Sequence, residues 1–195
     1  MRPHLSISRR TSRTPFSSRV EAAGATGYTV YNHTLLATSF RGIEVDYWHL
    51  CENVQVWDVS CEKQVTLMGP GANQLAQYMT PRDLSNAQVG RCYYLPMCDE
   101  NGSMISDGVG IKINDRHWRL SVADSDVLLW AKGLAVGFGL DVEVREPEIF
   151  PLAVQGPKAE ELMCRVFGDA IKELGFFAIA PFVYKGKRMK VARSG

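Results

Sequence analysis

Val109-Gly110-Ile111-Lys112-Ile113-Asn114-Asp115-Arg116-His117-Trp118-Arg119-Leu120-Ser121-Val122 alternates on both sides of a polar centre. Val109, Ile111 and Ile113 take every second position before the centre. Trp118, Leu120 and Val122 do so after it. A period of two on either side of a turn predicts a β-hairpin with one buried face. A two-residue turn at Asp115-Arg116 would set Ile113 opposite Trp118, Ile111 opposite Leu120 and Val109 opposite Val122. The next pair out is Asp107 and Asp124. In that register both carboxylates share the face of the apolar residues at the open end of the hairpin. Directly opposed residues bring like charges close, so a donor-rich ligand would relieve the pair. Periodicity leaves two alternatives open. The hairpin can fray before its end, or Asp124 can cap the next helix. The turn also lacks the Asn-Gly or Asp-Gly chemistry that two-residue hairpins favour.

Outward from the hairpin, Ser125-Asp126 precedes an apolar segment, Val127 to about Val136, that ends among Gly137 and Gly139. It reads as a capped helix, apolar nearly all round and therefore deeply buried. Two similar stretches flank this region. Val65-Thr66-Leu67-Met68-Gly69-Pro70-Gly71-Ala72 precedes a helical pattern stopped by Pro81. Leu152-Ala153-Val154-Gln155-Gly156-Pro157-Lys158-Ala159 precedes another, with Leu162, Met163, Val166 and Phe167. Both read strand, Gly-Pro turn, helix, with proline favoured at the first helical position. They imply an α+β protein of two lobes, each with a helix on a sheet. Nearer the N-terminus, Gly24 to Phe40 reads as strand and loop. Ile43 to Leu50 reads as a short helix, and Val54 to Val59 as an extended segment around Asp58.

Composition bounds the function. In 195 residues, 22 Lys and Arg balance 21 Asp and Glu, a net charge of +1. That balance argues against a dedicated nucleic-acid binder. The longest apolar stretch, Val127 to Leu140, contains Lys132 and three glycines and falls short of the roughly 18 residues of a membrane span. Neither nucleic acid nor membrane is an expected partner. Five cysteines (Cys51, Cys61, Cys92, Cys98 and Cys164) at irregular spacings read as reduced, mostly buried thiols of a cytoplasmic protein. Five arginines (Arg2, Arg9, Arg10, Arg13 and Arg19) precede any acid. They read as a basic surface arm leading into Pro15-Phe16. His4, His33, His49 and His117 show no metal-ligand spacing, so no metal is expected. Tyr93, Tyr94 and Trp118, with Tyr28 and Tyr31 further off, offer aromatic faces for a flat heterocycle or a cation.

At these residues the chain resembles the folate-dependent aminomethyltransferase family, typified by the glycine-cleavage T-protein. Within that superfamily it is most similar to the dimethylsulfoniopropionate demethylases. The resemblance is carried by Arg13-Thr14-Pro15-Phe16, Gly27-Tyr28-Thr29-Val30-Tyr31-Asn32-His33, Trp57-Asp58-Val59-Ser60-Cys61-Glu62, Met79-Thr80-Pro81-Arg82-Asp83-Leu84, Ser121-Val122-Ala123-Asp124-Ser125-Asp126 and Val154-Gln155-Gly156-Pro157-Lys158-Ala159. It implies an α+β, two-lobed folate-binding fold with antiparallel or mixed sheets, and tetrahydrofolate as cofactor. In T-proteins a Gly-Gly-x-x-Asp-Asp stretch supplies an aspartate that contacts the folate. Gly102 to Asp107 matches it, with Ser106 in place of the first acid. Asp107 is thereby implied as the catalytic residue. Tyr94, Ser121, Val122 and Asp124 are implied as folate-binding, and Tyr31 as substrate-binding.

Asp58 to Glu62 departs from the Asp-x-Ser-x-Met of T-proteins, so a methyl group on a sulfonium or methylated amine is expected rather than an aminomethyl-lipoyl group. The expected partners are therefore a small-molecule methyl donor and, at most, a second copy of the chain as a homodimer. Alternatives are a glycine-cleavage aminomethyltransferase, a non-catalytic folate-binding protein or an inactive fragment. Non-catalytic relatives that support iron–sulfur maturation carry a Lys-Gly-Cys-aromatic motif, whereas Lys185-Gly186-Lys187 lacks the cysteine. By the same resemblance 1–195 is an incomplete folate-binding domain, roughly the N-terminal half. Its approximate lobes are 1–52 with 148–195, and 53–147, and the C-terminal β-domain is absent. Weak folate binding and no demethylation by this chain alone follow as expectations.

Overall fold

The computed structural model describes residues 10–195; the expected basic arm at Arg2 and Arg9 lies outside the described residues. Along the chain run α1 (Ser17–Ala22), β1 (Gly27–Tyr31), β2 (Thr34–Ser39), α2 (Ile43–Glu52), β3 (Gln55–Asp58), β4 (Gln64–Met68) and α3 (Ala72–Tyr78). Next come β5 (Cys92–Tyr94), β6 (Met97–Cys98), β7 (Met104–Ser106), β8 (Gly108–Asn114), β9 (His117–Val122), α4 (Val127–Gly137) and β10 (Glu143–Arg145). The last are β11 (Leu152–Gln155), α5 (Ala159–Phe167), a 3-10 turn (Asp169–Glu173), β12 (Ala178–Tyr184) and β13 (Lys187–Arg193). The fold is α+β with antiparallel sheets. No helix among the described residues is long and apolar enough to cross a membrane.

The chain forms two units, Met1–Glu62 with Ile149–Ala159, and Lys63–Glu148 with Glu160–Gly195. The sequence expectation grouped 148–195 with 1–52. In the structure Glu160–Gly195 groups with the second unit, where Ala178 bridges Arg91 and the Cys92 N–H donates to the Phe177 carbonyl.

In the first unit β1 and β2 form a hairpin whose turn residues, Asn32 and His33, both have positive φ, the geometry that matches strand twist. Strands β3 and β11 pair antiparallel in a second two-stranded sheet of the same unit. The Asp46 carboxylate accepts the Phe40 and Arg41 N–H groups at 2.8 and 3.2 Å. Those backbone bonds, Phe40 foremost, hold its carboxyl below the usual range. None of α2 is buried.

In the second unit the sheet order is β10-β4-β9-β8-β5, with α3 and α4 on one face. Val65 and Leu67 of β4, Trp118, Leu120 and Val122 of β9, and Val144 of β10 line that face. Leu75, Met79, Val127 and Ala131 of the helices meet them. The hairpin is where the sequence predicts it, but its register is one residue off. Lys112 faces Trp118, Gly110 faces Leu120 and Gly108 faces Val122, with a bulge between Lys112 and Asn114. Asp115 and Arg116 lack positive φ. A turn of that kind splays the strands, and one extra residue at Ile113 absorbs the mismatch. The bulge turns the glycines of β8, not its Val and Ile, toward Trp118. A Cβ on Gly110 would lie 2.2 Å from Leu95 Cδ1, and one on Gly108 2.4 Å from the Ser121 carbonyl oxygen.

Helix α4 is not buried all round. Val127, Ala131 and Ala135 pack inward, while Leu129 and Val136 are 64% and 83% exposed. A helix on one face of a sheet buries only the stripe that meets it.

The two Gly-Pro stretches share one construction. Gly69 and Gly156 have φ of +134° and +119°. The N–H two residues on, at Gly71 and Lys158, donates to the carbonyl of Asp141 and of Asn53 respectively. Both helices start after the turn, at Ala72 and Ala159, so Pro70 and Pro157 precede the first helical residue rather than occupy it.

Candidate active site

The face of the second unit's sheet opposite α3 and α4 carries the polar residues. On it Tyr94, Val109, Ser121 and Gln64 form one row across four strands, each pair in direct register. Asp107 lies just before β8 and shares the parity of Val109. The Tyr94 hydroxyl donates to Asp107 Oδ2 at 2.9 Å. The acidic neighbour as acceptor, then desolvation, pushes the Tyr94 phenol up. Asp107 is half-buried and its backbone is held firmly. Its carbonyl accepts Ala123 N–H and Ser106 Oγ–H, and Ser106 Oγ in turn meets Ser125 Oγ at 2.7 Å. Arg82 donates to the Tyr94 carbonyl and lies over the Tyr93 ring. The Ser121 hydroxyl accepts from Gln64 Nε2 at 2.7 Å.

The structure brings Tyr94, Asp107 and Ser121 to one face. It does not oppose Asp107 to Asp124. With the bulge in place, Asp107 meets Ala123, and Asp124 sits beyond the end of β9, exposed. The side chain of Val122 points into the core at 2% exposure, and its N–H donates to the Lys63 carbonyl. Tyr31 ends β1 in the first unit. Gln64 was missed by sequence reasoning. Its signal is the alternation Gln64-Val65-Thr66-Leu67, which puts two polar residues on the face opposite Val65 and Leu67.

The first unit contains a cavity of about 520 Å³ lined largely by apolar and aromatic groups, among them Tyr28, Leu36, Phe40, Tyr47 and Trp57, and also by Asp58. The Asp58 carboxylate accepts the Thr14 hydroxyl and the Ser60 N–H. Two of the five cysteines, Cys61 and Cys92, are buried; Cys98 and Cys164 are half-buried and Cys51 is exposed, so mostly buried thiols is not what the fold produces. Burial, with the Glu62 charge beside it, pushes the Cys61 thiol up to about 11. The thiolate is the nucleophile. Mass mapping after brief iodoacetamide treatment of the folded protein at pH 8 should therefore find Cys51 modified and Cys61 intact. Equal labelling would show that the first unit opens readily.

Comparison with known proteins identifies the family. The family described as GCVT N-terminal domain matches residues 16–195. Dimethylsulfoniopropionate demethylase of Ruegeria pomeroyi is 50% identical over 188 residues, 96% of this chain and 52% of that protein. An aminomethyltransferase of Alcanivorax borkumensis is 33% identical over 148 residues, covering 71% of this chain and 40% of its own length. Among solved structures, the glycine cleavage system aminomethyltransferase T of Bartonella henselae superposes with a TM-score of 0.75 at 21% identity. It covers 86% of this chain and 46% of its own. The chain spans about half the length of the curated relatives it matches. With the α+β fold and a family match from Phe16 to Gly195, the chain belongs to the GCVT N-terminal domain family of the glycine-cleavage T-proteins.

Proposed function

We propose that this chain forms the folate-holding part of a tetrahydrofolate-dependent methyltransferase whose methyl donor is dimethylsulfoniopropionate or a related sulfonium or methylated amine. The observation that carries the reading is the half-buried Asp107 carboxylate, oriented by the Tyr94 hydroxyl on an otherwise polar sheet face. A carboxylate has about four acceptor sites and Tyr94 occupies one, so Asp107 keeps capacity for the N–H groups of a pterin. The half-identity with a dimethylsulfoniopropionate demethylase supports the choice of donor.

When bound, the folate supplies the amine that takes the methyl group as the carbon–sulfur bond breaks and a neutral thioether leaves. Asp107 fixes that amine by accepting from the ring N–H groups and stands ready to receive its proton. Tyr94 orients Asp107 and presents its ring to the heterocycle. Ser121, with Gln64 holding its hydroxyl, offers a polar edge beside them. For the donor, aromatic faces attract a cationic sulfur without attacking it. Holding the reactants aligned supplies most of the rate gain.

The test is titration with tetrahydrofolate. Loss of a hydrogen bond to a charged acceptor should weaken binding about 10- to 100-fold in Asp107→Asn, with no change in unfolding temperature. Unchanged affinity would remove Asp107 from the site. In the protein that carries this chain, the expected product from dimethylsulfoniopropionate is methyl-tetrahydrofolate, lost in the same variant. Turnover of an aminomethyl-lipoyl substrate instead would select the aminomethyltransferase reading.

A further inference from the structure

Asp107 is the single residue between two sheets. Ser106 ends β7, which pairs with β6 in a two-stranded sheet, and Gly108 begins β8 of the five-stranded sheet. Neither strand ladder includes Asp107. The Ala123 N–H reaches its carbonyl at 3.3 Å, long for a bond of that kind. Gly108 follows, and glycine restrains the backbone less than any other residue. A carboxylate at such a joint is only as well aimed as the backbone beneath it.

Two hydroxyls tie that backbone down. Ser106 Oγ–H donates to the Asp107 carbonyl at 3.2 Å, and Ser125 Oγ–H donates to Ser106 Oγ at 2.7 Å. Ser106 is buried and Ser125 half-buried, so water competes little for the inner bond. Ser125 lies in the connection between β9 and α4. The pair therefore fastens the β7–β8 joint to the loop beyond the neighbouring strand. The chemistry at position 106 is specific. A hydroxyl accepts from one partner while it donates to another. An ionised acid, which T-proteins carry at the matching position, only accepts and could not donate to the Asp107 carbonyl. Chains of hydrogen bonds shielded from water also strengthen one another.

We propose that Ser106 and Ser125 are positioning residues. They fix the backbone of Asp107, and through it the carboxylate that the Tyr94 hydroxyl meets, in the orientation that receives the pterin N–H groups. The proposal deepens the folate reading and rests on it. Affinity gains because the carboxylate need not be ordered when the ligand arrives.

The test is titration of this chain with tetrahydrofolate, with thermal unfolding recorded for each variant. Ser106→Ala and Ser125→Ala should each weaken binding about 3- to 10-fold, the range for one lost hydrogen bond. The double variant should lose no more than the larger single loss, because the two hydroxyls act as one chain. Ser125→Ala serves if Ser106→Ala unfolds at a lower temperature. On an Asp107→Asn background either alanine should cost little further. A hydroxyl that merely steadied the fold would weaken binding equally on both backgrounds, and that result overturns the proposal. So does unchanged affinity in both alanine variants while Asp107→Asn binds more weakly, which leaves the folate reading intact. Unchanged affinity in Asp107→Asn removes Asp107 from the site and the positioning role with it. Absence of tetrahydrofolate binding in the unsubstituted chain overturns the folate reading and the proposal together.

Discussion

Trp118→Ala is expected to destabilise the second unit by about 3–5 kcal/mol, the range for a buried aromatic cut to a methyl. Trp118 is 1% exposed and stands in register between Leu67 of β4 and Lys112 of β8. Its ring edge lies 3.5 Å from where a Cβ on Gly110 would stand, beside Leu95, which fills that space. Its Nε1–H donates to Asn73 Oδ1 at 2.6 Å, which ties the sheet to α3. The substitution therefore leaves a cavity and removes the tie to Asn73 at once. Urea unfolding followed by circular dichroism reads the loss. Trp118→Phe keeps most of the ring and should cost clearly less. A loss below about 1 kcal/mol for the alanine would mean that the neighbours collapse into the space, contrary to the close packing of such cores.

Gly156→Ala is the second large effect, and it falls on the first unit. A Cβ there would lie 2.3 Å from the Asn53 carbonyl oxygen and 3.0 Å from that of Leu50. Neither can yield, because both are backbone, and Asn53 is tied twice to Lys158, through its carbonyl and through its side chain. The φ of +119° adds strain for any residue with a Cβ. Backbone strain and overpacking together set the cost at about 2–6 kcal/mol. The first unit has few buried apolar groups to offset it, so its thermal transition should fall well before that of the second unit. Gly133→Ala is the matched contrast. It sits inside α4 with nothing within 4 Å of its added Cβ, and should stabilise by up to about 1 kcal/mol. Similar effects from the two would show that the close approach at Gly156 is not what demands glycine there.

Much of this architecture is legible along the chain because its causes are local. The alternation through Val109–Ile113 and Trp118–Val122 marks two strands and a turn. Each Gly-Pro step marks a strand that ends against a neighbour's carbonyl and a helix that follows. The open end of the hairpin and the resemblance both point to Asp107, the resemblance alone to Tyr94 as folate-binding, and the two meet, hydroxyl to carboxylate. Asp124 was reached by the same register argument and does not stand opposite Asp107.

That failure shows what local pattern leaves undetermined. The sequence by itself determined the β8–β9 hairpin, the helix that follows it, the two Gly-Pro strand–helix steps, and which residue types are available for a folate. Side-chain volume across the sheet decided the rest. Leu95 needs the bare face of Gly110 and the Ser121 backbone that of Gly108, and the turn at Asp115-Arg116 cannot follow the strand twist unaided. A single bulge at Ile113 answers both, and it exchanges the faces of β8. The same packing exposes Leu129 and Val136 of α4 despite their apolar character, since only one stripe of that helix meets the sheet. Tertiary contact also brings Ala178, far along the chain, to Arg91. Period-two patterning selects a face only relative to a neighbour, and the neighbour is chosen by tertiary contact.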